Sequence, residues 1–187
     1  MLDHDHLLLL LAERSTRRGH FILASGRQST LYIDARLTTM SPDGLALIGP
    51  LALTALRQTA WDVSAIGGLT LGADPMSYAI SYASASTDRP LRAFTVRKEP
   101  KTHGTGKFIE GPFHEGDRVA VIEDVITTGG SALRAANAIR AAGGIVAGVL
   151  ALIDREEGGR EAILAAGLPV VALTRVGDIV AHLRIPT

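Results

Sequence analysis

An α/β fold, a central parallel β-sheet flanked by helices, is predicted by three observations. From Val63 onward, short apolar runs alternate with helical patterns, as repeated β–α units do when they build a parallel sheet. The run Val119-Ala120-Val121-Ile122 leads into two acids, a small-residue loop and a helical stretch over residues 132–142, which reads as a buried strand feeding a helix. Ahead of these units stand a leucine-rich helix and a β-hairpin, which predict a small N-terminal hood over residues 1–40.

In order along the chain, Asp3 or Asp5 can cap a first helix that runs through the leucines to about Arg18 and stops at Gly19. The five leucines from Leu7 to Leu11 point to every side of a helix, more than one core-facing stripe requires. Either deep burial or a subunit contact accounts for them. A short strand around His20 to Leu23, a turn at Ser25-Gly26 and a second strand over residues 31–34 make the hairpin. Ser41 caps a helix with Pro42 at its first position; it runs to about Ala60, with a kink or break expected at Pro50. Strands are predicted over residues 63–67, 91–96, 119–124, 145–154 and 169–173, and helices over 74–83, 132–142 and 160–166. Residues 67–72 form a loop, Gly143-Gly144 ends a helix, and Asp178 caps a last one. No internal repeat, low-complexity segment or linker interrupts the 187 residues, so a single domain is expected.

Composition narrows the function. Lys plus Arg and Asp plus Glu both number 19, so a general nucleic-acid binder, which carries a basic excess, is disfavoured and any basic cluster must be local. With no cysteine, disulfides and thiolate metal sites are excluded, in keeping with a cytoplasmic protein. The leucine run is too short to span a bilayer, and Asp3 and Asp5 stand where a signal peptide would be basic, so neither membrane nor export is expected.

The chemistry concentrates in Val119 to Ser131, VAVIEDVITTGGS. Glu123 and Asp124 sit where the strand would end, the place where ligands collect in parallel sheets. Thr127, Thr128, Gly129, Gly130 and Ser131 offer hydroxyls and backbone N–H groups at a helix start, which can wrap a phosphate. The carboxylates can accept hydrogen bonds from sugar hydroxyls or help hold a hydrated divalent cation, so the combination fits a phosphorylated sugar. A Gly/Thr turn also joins strand and helix in many α/β proteins that bind nothing there. Adjacent carboxylates weigh against that reading, because they repel unless something binds them. Neither GxxxxGK[ST] nor GxGxxG is present, which disfavours a Walker loop and a dinucleotide fold.

A second concentration is RKEPKTHGTGKFIEGP, residues 97–112, with Arg97, Lys98, Lys101 and His103 in seven positions of a neutral protein. A connection this long between predicted strands is either a solvated excursion or a binding loop. The cations suit a polyanion such as pyrophosphate, and the glycines would let a mobile loop close over a reacting centre. His4, His6, His20, His114 and His182 have no metal-ligand spacing and read as surface or packing residues.

The segment VIEDVITTGGS resembles the 5-phospho-α-D-ribosyl 1-diphosphate (PRPP) signature of type I phosphoribosyltransferases. Three further matches narrow this to the orotate phosphoribosyltransferase family. They are Arg97-Lys98-x-x-Lys101-x-His103-Gly104, the Phe21-Ile22-Leu23-Ala24-Ser25-Gly26-Arg27 segment, and Asp154-Arg155. The resemblance implies the type I fold and transfer of phosphoribose from PRPP to orotate. Glu123 and Asp124 would face the ribose hydroxyls, Thr127, Thr128, Gly129, Gly130 and Ser131 would cradle the 5-phosphate, and Val125 and Ile126 are counted with them as PRPP-binding. Arg97, Lys98, Lys101 and His103 would contact pyrophosphate, with Lys98, Lys101, His103 and Asp124 counted as catalytic. Thr127, Arg155, Tyr32 and Ile33 would meet orotate. It further implies Mg2+ held mainly through PRPP and water, with no protein metal site, and a homodimer sharing the basic loop. Ala24 and Leu71 stand where many members have lysines, so two expected cations are missing. A phosphoribosyltransferase for another base and a PRPP-sensing regulator remain as alternatives.

Overall fold

The computed structural model describes residues 2–22, 28–99 and 108–183. The hood comprises α1 (Leu2–Leu10), a π-helical turn (Leu11–Ser15), the strands β1 (Thr16–Ile22) and β2 (Gln28–Ile33), and a short helix α2 (Arg36–Thr39). Then follow α3 (Pro42–Arg57), β3 (Ala65–Leu69), α4 (Ala73–Ser84), β4 (Arg92–Val96), β5 (Ile109–Glu110), β6 (Arg118–Ile126) and α5 (Gly130–Ala141). The chain closes with β7 (Ile145–Asp154), α6 (Gly159–Ala165), β8 (Val170–Arg175) and α7 (Val176–Ala181). β1 and β2 pair antiparallel; the main sheet has the order β5-β4-β3-β6-β7-β8 and is parallel except for β5.

The near-continuous apolar runs of β6 and β7 make sense in a sheet covered on both faces. Ala120, Ile122, Leu150 and Leu152 face one core with Leu7, Leu11, Ile48, Met76 and Ile80 from α1, the π-helical turn, α3 and α4. Their neighbours Val119, Val121, Val149 and Ala151 face the other, with Ala132, Ala136, Ile139 and Ile163 from α5 and α6. Of the five leucines only Leu9 is exposed, so deep burial explains most of the run.

Several expectations are corrected. The first helix ends before Arg18: Thr16 is extended and donates its hydroxyl to Leu11 O at 2.9 Å, and Arg17 and Arg18 pair with Tyr32 and Leu31 in the hairpin. Cross-strand pairing overrides the local helical pattern there. α3 runs unbroken through Pro50 and stops at Arg57. The carbonyl that Pro50 cannot pair belongs to Ala46 on the exposed face, where water can serve it. The Glu123-Asp124 pair lies inside β6 rather than at its end, because β7 continues the ladder through Glu123↔Ala151 and Ile126↔Asp154. Residues 97–112 are not wholly without structure. Ile109 and Glu110 pair with Val96 and Thr95, and Arg97 N–H donates to Phe108 O at 2.8 Å, which brings the two ends of the segment together. Asp178 lies within α7 and does not cap it, since β8 passes into the helix directly at Arg175.

Candidate active site

The carboxyl ends of β3, β6 and β7 meet the hood at a polar cleft of about 310 Å³. The hood supplies Tyr32, Ile33, Asp34 and Arg36. The β3–α4 turn supplies Leu69, Thr70, Leu71 and Gly72, and β6 with its turn supplies Glu123, Asp124, Val125, Thr127 and Ser131. Lys98 and Arg155 complete the lining. A smaller cavity of about 60 Å³ opens at the start of α5, bounded by Glu123 and the loop from Val125 to Ser131. Residues 127–131 thus present hydroxyls and a helix N-terminus to it, which suits an anion. Gly129 is required for that turn: its φ is 80°, and a Cβ would lie 2.7 Å from Gly159 O.

Glu123 is buried, and its Oε2 has no hydrogen-bond partner. Burial, and next the charge of Asp124, pushes its carboxyl well above the usual glutamate range. Asp124 Oδ1 accepts the Val125 N–H at 2.9 Å. Arg155 is buried and pairs with Glu157 at 2.7 Å, and one guanidinium nitrogen reaches Leu31 O at 3.4 Å. Its Nε has no partner among the described residues, which leaves a buried, charged donor able to take an anionic acceptor. The Leu31 contact also ties β7 to the hood across 124 positions of sequence.

Of the site residues expected from sequence, the cleft and the cavity beside it bring together Tyr32, Ile33, Lys98, Glu123, Asp124, Val125, Ile126, Thr127, Thr128, Gly129, Gly130, Ser131 and Arg155. Arg97 does not line either; its guanidinium is directed to Glu110 at 3.5 Å and to Glu99 O at 3.4 Å. Lys101 and His103, like Ala24, lie outside the described residues. Leu71 is half-exposed on the cleft and brings no charge. Sequence reasoning missed Asp34 and Arg36, which form a two-pronged pair at 2.8 and 2.9 Å. The Arg36 guanidinium holds the Asp34 carboxyl below its usual range. The available signal was an acid and a base two positions apart at a strand end.

Arg36, Lys98 and Arg155 face Asp34 and Asp124, with Glu123 biased toward its neutral form, so the described lining carries at most a slight surplus of positive charge for a polyanion. Among the described residues no three His, Cys, Asp or Glu side chains cluster to cage a metal. An acidic pair with one orphaned buried oxygen instead fits a hydrated Mg2+ held largely by its ligand. A larger groove of about 540 Å³ between α3 and α4 is apolar, lined by residues such as Leu45, Pro50, Tyr78 and Tyr82. It has no titratable carboxylate, amine or imidazole to do chemistry with, so the smaller polar cleft is the candidate. No described helix is long and apolar enough to cross a membrane.

Comparison with known proteins gives a consistent picture. No protein-family model matches the chain. It is 44% identical over 182 residues to the orotate phosphoribosyltransferase of Aquifex aeolicus, covering 96% of this chain and 98% of that one. It is 47% identical over 176 residues to the orotate phosphoribosyltransferase of Synechocystis, covering 94% and 87%. The crystal structure of Mycobacterium tuberculosis H37Rv orotate phosphoribosyltransferase in complex with PRPP superposes with a TM-score of 0.80 at 40% identity, covering 95% and 98%.

Proposed function

The chain belongs to the orotate phosphoribosyltransferase family, and on that premise we infer that it transfers the phosphoribosyl group of PRPP to orotate. The products are orotidine 5′-monophosphate and pyrophosphate, a step of de novo pyrimidine synthesis. The observation that carries this reading is the meeting, in one cleft, of the acidic pair, the hydroxyl-rich start of α5, the cation Lys98 and the buried Arg155.

In the proposed division of labour, residues 127–131 hold the 5-phosphate at the α5 N-terminus, while Glu123 and Asp124 accept hydrogen bonds from the ribose hydroxyls. Arg155, with its unpartnered Nε, meets the orotate carboxylate, and Tyr32 and Ile33 lie against the base with Thr127 beside it. The bond from ribose C1 to the diphosphate oxygen breaks, its electron pair leaves with pyrophosphate, and C1 bonds to N1 of orotate. The main requirement is to stabilise charge growing on the leaving group, which fixed cations do well in a site closed to water. Lys98, Lys101 and His103, with Arg97 at the base of the same segment, are assigned that task. When bound, Mg2+ supplies further positive charge at the diphosphate. N1 of orotate gives up its proton as it bonds to C1, and the departing pyrophosphate takes up one proton, so the transfer balances; His103 is assigned as the group that hands a proton to the leaving group. A homodimer that shares residues 97–112 between subunits and a cytoplasmic location complete the proposal.

The test is the fall in absorbance as orotate is consumed with PRPP and Mg2+, run beside uracil, adenine and hypoxanthine. Pyrophosphate release with orotate alone is expected; release with another base in its place would overturn the assignment. Replacing Lys98, Lys101 and His103 together by alanine should lower turnover by at least about 10²–10³-fold, the scale of losing a donor to a developing anion. Unchanged turnover would remove these residues from the mechanism.

A further inference from the structure

The β3–α4 turn is fixed by a carboxylate that takes no part in the chemistry above. Asp74, in the first turn of α4, is buried, and both its oxygens are engaged. Thr70 Oγ1 donates to Oδ2 at 2.6 Å, and Thr95 Oγ1 of β4 donates to Oδ1 at 2.9 Å. Thr95 also shares a hydrogen bond of 2.8 Å with Tyr78 OH on the outer face of α4. The turn is held a second time by its backbone, Thr70 N–H to Val96 O at 2.8 Å and Asp74 N–H to Leu71 O at 3.4 Å. Two steps beyond Thr70, Gly72 packs against the Asp124 carboxylate, where a Cβ would come within 2.5 Å of both oxygens. A shift of this turn is therefore a shift of the surface that meets Asp124. An acid in a first helical turn also favours the helix dipole, but that role needs only its charge. It does not need hydroxyls from two separate elements, one on each oxygen.

We infer that Asp74 is a positioning residue for PRPP: through Thr70 and Thr95 it fixes residues 70–72 against Asp124, and so sets the surface that receives the phosphoribosyl diphosphate. The naming of PRPP rests on the function proposed above. Since misplacement by about 1 Å can cost up to ~10² in rate, loss of the two hydroxyl contacts should be visible without unfolding the protein.

The experiment measures PRPP binding by calorimetry, with Mg2+ and no base, and KM for both substrates, in Asp74→Ala, Thr95→Val and Thr95→Ser. Expected are about tenfold weaker PRPP binding in Asp74→Ala, about threefold in Thr95→Val, near-parental binding in Thr95→Ser, and orotate KM within about twofold throughout. Equal losses for PRPP and orotate, or PRPP affinity unchanged in the folded variants, would overturn the inference. Should Asp74→Ala fail to fold, the contrast between Thr95→Val and Thr95→Ser decides. If the parent protein binds PRPP but does not consume orotate, the acceptor assignment fails while the calorimetry still judges Asp74.

Discussion

Two segments line the cleft, the β3–α4 turn and the carboxyl-end half of β6, and beside each is a buried carboxylate of the same exposure, 8% for Asp74 at the start of α4 and 8% for Glu123 within β6. In the β3–α4 turn, Asp74 has a threonine hydroxyl on each oxygen. Within β6, Glu123 keeps an oxygen with no partner among the described residues, and burial with the Asp124 charge favours its protonated form. Equal burial thus coexists with opposite chemistry. A satisfied buried acid stabilises one arrangement of the chain around it; an unsatisfied one is costly until a ligand supplies donors. The first belongs to the scaffold of the site and the second to its contact surface.

The largest expected effect tests whether the acidic pair does the chemical work. Asp124→Ala should lower kcat/KM for PRPP by about 10²–10³-fold, on the scale of one lost polar contact to a reacting group. A loss below tenfold would move the essential contacts elsewhere. Next is Gly72→Ala, which places a methyl group against the Asp124 carboxylate and so couples the two segments. About a tenfold fall in kcat/KM for PRPP is expected, with a melting temperature close to the parent's, because the clash is with a side chain in an open cleft. Gly129→Ala probes the turn before α5 alone. The positive φ and the nearby Gly159 O should cost about 1–2 kcal/mol of stability, read by urea denaturation, together with weaker PRPP binding.

The smallest effect is also the most diagnostic. Folding raises the Glu123 pKa above its ordinary 4.5, so the folded chain retains a proton that the unfolded chain releases. Stability at this site is therefore fully present below the ordinary value and is lost as pH rises from there through the raised pKa. Glu123→Gln removes that slope. Its melting temperature, measured without ligand, should gain on the parent's as pH rises from about 5 to 8, while KM for PRPP increases. Parallel melting curves over that range would erase the contrast between the two carboxylates.

Much of this was legible in the residues alone. The strand over residues 145–154, the Ser41-Pro42 helix start and the small-residue loop before α5 follow from patterns only a few residues long. Hydrophobic periodicity, capping and turn chemistry are local, so sequence can state them. The hood was harder. Arg17 and Arg18 have a helical context behind them, yet their strand pairs with residues more than ten positions away. Asp34 and Arg36 drew no notice in the sequence, and only the hairpin places them on the cleft.

The sequence by itself determined the order of the β–α units, the acidic pair and the small-residue loop that follows it before α5, and the family to which these motifs point. Tertiary structure alone decided that Thr95 reaches Asp74 across 21 positions, that Arg155 reaches Leu31 across 124, and that Oε2 of Glu123 finds no partner among the described residues. The reason is physical. The state of a buried charge depends on which distant groups come within hydrogen-bond reach, and that is fixed only when the sheet brings separate segments together.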